Sequence, residues 1–173
     1  KPVTRWQVIF GKFLGCWIVT GVAIVVFYLF FGVVVGARSH SWPLLQYAQA
    51  AWLHWTALGV VVAMAILGSV LFSAPSVNVT ISFILVVGIL TMGGHLHTLA
   101  TRLTPEAGTV LAALYFMLPH LEWAFDFKDL VLHDRPPAHF AAIAVSTTYW
   151  ACYMAALLTA AWLAFRRKTL TLG

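Results

Sequence analysis

Residues 39–101 read SHSWPLLQYAQAAWLHWTALGVVVAMAILGSVLFSAPSVNVTISFILVVGILTMGGHLHTLAT, 63 residues without one Asp, Glu, Lys or Arg. One membrane crossing takes about 20 mostly apolar residues. This run therefore holds two crossings, 47–72 and 79–100, with residues 73–78 and Pro75 as the turn between them. Two further charge-free runs, 13–37 and 136–165, are 25 and 30 residues long and hold one crossing each, at 10–36 and 138–165. Across all 173 residues 62% are hydrophobic and 9% charged, against roughly a quarter charged in soluble chains. The mean hydropathy of +0.92 agrees. The expected fold is all-α, a polytopic membrane domain of four transmembrane helices with short outer interfacial helices.

The net charge of +5 raises the question of nucleic acid. A basic binding face needs clustered cations, whereas here they sit at span ends, where topology explains them. Nucleic acid is not an expected partner. Cys16 and Cys152 fall inside apolar runs and read as small packing residues, with no disulfide framework or metal site implied. The chain has no GxxxxGK[ST], no HExxH and no Ser/His/Asp arrangement, so no catalytic residue is assigned and ATP hydrolysis is not expected of it.

All five acids lie within 104–137: Glu106, Glu122, Asp126, Asp129 and Asp134. Thr104-Pro105-Glu106 is a helix start, with Thr as cap, Pro in the first turn and an acid against the helix dipole. Pro119 breaks that helix. The stretch between Glu106 and Glu122 is too short to cross. Glu122, Asp126, Asp129 and His133 share one helical face, so the following helix is expected along the outer membrane surface. With four spans, Lys1, Arg5, Lys12, Arg166, Arg167 and Lys168 share one side without an acid. Arg38, Arg102, Lys128 and Arg135 share the other with all five acids. The positive-inside rule places both ends in the cytoplasm. Asn78-Val79-Thr80 matches a glycosylation pattern but falls in a cytoplasmic turn and is set aside.

Residues 1–12 read as a cytoplasmic surface segment, with Thr4 and Gln7 forming a capping box and Lys12 snorkelling towards headgroups. On the last span Ser146, Tyr149, Tyr153, Ala156 and Ala160 share a face, a candidate substrate path. Gly11/Gly15 and Gly32/Gly36 are GxxxG pairs for close helix packing, within the chain or at a dimer seam. His54 and His95 fall at similar depth on neighbouring spans, which leaves open a four-helix haem-binding subunit for electron transfer.

KPVTRWQVIFGKFLG (residues 1–15) resembles a segment of ABC-2-type transporter permeases, through Pro2, Val3, Arg5, Trp6, Gly11, Lys12 and Gly15. Residues 115–133, YFMLPHLEWAFDFKDLVLH, are similar to the outer segment before the last helix of that family, and WLAFRRKTL to its close. The resemblance implies the last four helices of a six-helix permease, so an N-terminal part of a longer protein is expected to precede Lys1. It further implies a second permease copy and separate ATP-binding subunits that carry ATP and magnesium. Pro2, Thr4, Arg5, Trp6 and Lys12 would then form the segment coupled to the ATPase, in a bacterial or archaeal cell membrane. No cofactor bound by the chain itself is implied.

Overall fold

The computed structural model describes residues 4–40, 42, 44–100, 105–121, 123–126 and 136–167. Six helices follow one another in these: α1 (Arg5–Ser39), α2 (Leu44–Leu71), α3 (Pro75–Ala100), α4 (Pro105–Met117), α5 (Trp123–Asp126) and α6 (Phe140–Arg167). Among the described residues α1, α2 and α6 are long and apolar enough to cross a membrane, and α3 adds a shorter apolar stretch, Pro75–Thr91. The backbone of α3 is helical over 26 residues, about 39 Å.

Helix α1 begins where its sequence provides a cap. The Gln7 N–H donates to Thr4 Oγ1 at 3.4 Å and the Thr4 N–H to Gln7 Oε1 at 2.9 Å. No helix breaker follows until His40 closes the helix in the left-handed conformation, its N–H bonded to the Gly36 carbonyl. Residues 5–12 of the expected surface helix are thus the first turns of one continuous 35-residue helix, about 52 Å long; residues 1–3 lie outside the described residues.

Helix α2 is the centre of the bundle and far more buried than α1. It runs parallel to α6, and their starts are joined by a buried glutamine. Gln49 Nε2 donates to the Ala138 carbonyl at 3.1 Å, and the Ala138 N–H donates back to Gln49 Oε1 at 3.0 Å. The stripe that α6 buries is Ser146, Trp150, Met154, Leu158 and Ala161. Against it lie Leu53, Ala57, Val60 and Ala63 of α2 in one apolar core. Ala156 and Ala160, expected on the same face as Ser146, are exposed. Cys16 and Cys152 are exposed as well, so neither is a packing residue of the core.

Helix α1 is joined to α2 by a reciprocal exchange. The indole N–H of Trp17 donates to the Trp55 carbonyl at 3.0 Å, that of Trp55 to the Trp17 carbonyl at 2.9 Å, and the rings stack at 4.6 Å. Each indole lies on the glycine one turn beyond the other tryptophan. A Cβ on Gly21 would sit 2.6 Å from Trp55 Nε1, and one on Gly59 would sit 2.8 Å from Trp17 Nε1 and against the Met154 sulfur. Of the GxxxG pairs, Gly32 and Gly36 do pack within the chain, on Tyr47 and Trp42. Gly11 and Gly15 face open space. At the α2–α3 turn Asn78 Nδ2 donates to the Ala65 carbonyl at 3.1 Å, so this amide is a packing device.

Between α3 and α6 the chain folds back onto the bundle. Helix α4 packs back along α3, and after Leu118 the chain turns through Pro119, His120 and Leu121, all three buried. This turn rests on Tyr149 and Tyr153 of α6. Tyr153 is 13 residues into a 28-residue helix, about 20 Å from its start. The turn therefore reaches half-way down the bundle. Residues 105–121 and 123–126 form a hairpin that re-enters the bundle, because apolar Leu118, Leu121 and Ala124 find the α2–α6 core.

Candidate functional site

Two constellations carry the residues singled out by sequence. The first is at the end where the chain starts and α6 stops. An α-helix leaves its last four carbonyls without intrahelical partners. The Arg5 guanidinium donates to two of these in α6, the Phe165 carbonyl at 2.9 Å and the Arg166 carbonyl at 2.8 Å. It also lies 5.6 Å over the Phe165 ring. Trp6 meets Trp162 edge-on at 6.4 Å and stacks on Phe10 at 5.8 Å. Arg166 in turn sits over the Trp162 ring at 5.8 Å. A cation here complements the negative end of the α6 dipole. The first turn of α1 is thereby latched to the last turn of α6. Thr4 caps α1, Lys12 is exposed, and Pro2 lies outside the described residues.

The second constellation holds the re-entrant turn. The Tyr149 and Tyr153 hydroxyls both donate to the Leu118 carbonyl, each at 3.3 Å, and the His120 N–H donates to the Tyr149 oxygen at 3.3 Å. The His120 ring, 5% exposed, lies between Tyr115 at 4.4 Å, Trp123 at 5.0 Å and Tyr149 at 5.8 Å. Irregular backbone packed inside a helix bundle needs partners for its polar groups. The two tyrosines supply them to the Leu118 carbonyl. Ser146, expected beside them, is on the stripe buried in the core. The acidic face of Glu122, Asp129 and His133, and the side chain of Asp126, lie outside the described residues.

The histidines expected to face each other do not share a described contact. His54 Nδ1 is within 2.6 Å of the Tyr28 hydroxyl on α1 and 3.0 Å of the Ala50 carbonyl, while His95 is exposed on α3. Tyr28 lines an apolar groove of about 740 Å³ along the α1–α2 seam, walled also by Trp42, Trp52 and Trp55. Among the described residues no three His, Cys, Asp or Glu side chains group as metal ligands.

Sequence reading missed Gln49, the Trp17–Trp55 exchange and the role of His120. The first had a signal, a second amide after Gln46 in a run that turns apolar. The second had one too: Trp17-x-x-x-Gly21 and Trp55-x-x-x-Gly59 are the same pattern on successive helices.

A family model described as "ABC-2 family transporter protein" matches residues 1–170. No curated protein and no solved structure matches. The match spans nearly the whole bundle, latch and re-entrant hairpin included, and the apolar helices are those of a multi-pass membrane protein. This chain belongs to the ABC-2 transporter family, as the membrane permease component of such a transporter.

Proposed function

We propose that this chain is the four-crossing permease of an ATP-driven exporter in a bacterial or archaeal cell membrane, with both ends cytoplasmic. It pairs with a second permease copy and with a separate subunit that binds ATP and magnesium. The observation that carries the coupling is the latch. Residues 1–12 are the segment that meets the ATPase, and Arg5 ties their helix to Phe165 and Arg166 of α6. Twelve residues up α6, about 18 Å along a rigid helix, Tyr153 holds the Leu118 carbonyl. A displacement of the α1 start thus passes through the latch to α6 and on to the re-entrant turn. Tyr149 and Tyr153 lie at the candidate substrate path, and a shift of α6 repositions that path's wall. The haem alternative draws no support from His54, whose Nδ1 meets a tyrosine and a carbonyl.

The test is ATP hydrolysis by the ATP-binding subunit in liposomes with wild-type or Arg5→Glu permease. Wild type is expected to recruit the subunit and stimulate its hydrolysis. Arg5→Glu is expected to recruit it but lose the stimulation, because a carboxylate faces the α6 carbonyls. A permease that recruits no ATP-binding subunit, or an Arg5→Glu variant stimulated like wild type, overturns the reading.

A further inference from the structure

The end of the bundle that carries the latch has no acid to balance its cations, since the chain has no Asp or Glu in residues 1–105 or 135–173. The cations there are not equivalent. The Arg5 guanidinium bonds two α6 carbonyls, and Arg166 sits on Trp162. Lys12 makes no hydrogen bond, ion pair or ring contact with a described residue. It lies seven residues beyond Arg5 on α1, about 10 Å further along the bundle, in surroundings where a cation calls for an anionic partner. Beside it opens a notch of about 140 Å³ between α1, α2 and α6, lined by Ile9, Ile66, Val70, Phe165 and Ser69. The Ser69 hydroxyl already donates to the Ile66 carbonyl at 2.7 Å, so Lys12 is the donor the notch offers to an anion.

An apolar slot with one unpaired ammonium at its edge fits an amphipathic anion. We propose that this notch binds one anionic phospholipid, its phosphate on Lys12 and the first methylenes of an acyl chain against Ile9, Ile66, Val70 and Phe165. A protein partner approaching the end of the bundle would meet Arg166 and Arg167 before it met this slot. The Lys12 stem is long enough to carry its charge up to the phosphate level while its methylenes cover the notch wall.

Native mass spectrometry of the purified chain reads this directly, with phosphatidylglycerol and phosphatidylcholine of identical acyl chains supplied as equal mixtures. Wild type is expected to retain one phosphatidylglycerol in preference by about fivefold, the effect of one lysine at an anionic surface. Lys12→Gln should abolish the preference, Lys12→Arg should keep it, and Arg167→Gln should leave it unchanged. Val70→Phe fills the notch with all charges in place and should also lower retention, which keeps the test alive if Lys12→Gln does not insert. Three results overturn the proposal. These are an undiminished preference in both Lys12→Gln and Val70→Phe, displacement of the lipid by glycerol 3-phosphate (a free-phosphate site), and its one-for-one displacement by an ATP-binding subunit (a protein site).

Discussion

The bundle is joined in two places by aromatic side chains that donate to backbone carbonyls, and the carbonyls differ in kind. At the α1–α2 seam, the Trp17 and Trp55 oxygens lie inside regular helices, and the indoles occupy a second acceptor position on each. At the re-entrant turn the Leu118 carbonyl sits past the end of α4 and before Pro119, and the donors it has among the described residues are Tyr149 and Tyr153. The seam bonds add to structures already satisfied. The clasp bonds replace the helix that Pro119 interrupts. Deletion at the seam removes a bonus, whereas deletion of both clasp hydroxyls leaves a half-buried acceptor without a described donor, the costlier event.

The sharpest way to break this comparison is a double-mutant cycle at the clasp. Tyr153→Phe should lower the unfolding free energy by about 1 kcal/mol, because the Tyr149 hydroxyl remains, and Tyr149→Phe by about 1.5 kcal/mol, because the His120 N–H also loses the Tyr149 oxygen. Together they should lower it by about 3 kcal/mol, more than the sum, as the carbonyl is orphaned. Equilibrium unfolding in mixed micelles checks this, and strict additivity would contradict the shared acceptor.

Steric closeness should weigh next. Gly59→Val drives a side chain into Trp17 and the Met154 sulfur and should cost about 2 kcal/mol in the same assay. Gly11→Ala or Gly15→Ala, where the space is open, should leave stability of the isolated chain unchanged. Equal losses at all three positions would mean that the glycines act through the helix backbone and not through the seam.

Trp17→Phe keeps a ring to stack but loses the N–H, and about 1 kcal/mol is expected. A loss as large as that of the double tyrosine variant would erase the distinction between the two junctions. Smallest in stability is Arg5→Gln. Its contacts are half-exposed and act on a helix terminus, so under about 1 kcal/mol is expected. Its effect should appear instead in the stimulation of the ATPase.

The three helices long and apolar enough to cross were legible because a bilayer imposes a length, and charge-free runs of 25, 63 and 30 residues can meet it in few ways. Pro119 was legible as a breaker for the same local reason. The packing of the turn after it was not. Leu121 and Ala124 are buried in the core. Where an apolar, interrupted segment packs depends on donors elsewhere in the chain, here two tyrosines some 30 residues later. Arg5 is legible in the sequence only as a member of the ATPase-coupled segment that the resemblance implies. Its partner is 160 residues away in the same chain, a distance no local pattern encodes.

Everything said of the clasp, and of the path from latch to clasp, rests on the turn lying half-way along α6. Spin labels measure this with Cys16 and Cys152, both exposed, replaced by serine. Met117→Cys, at 77% exposure, marks the turn, and Phe140→Cys and Leu163→Cys, at 75% and 45%, mark the two ends of α6. The re-entrant hairpin requires similar separations from Met117 to both ends, each about 20 Å. A Met117–Phe140 separation far shorter than a Met117–Leu163 separation of about 35 Å would put the turn at the outer surface and contradict the account.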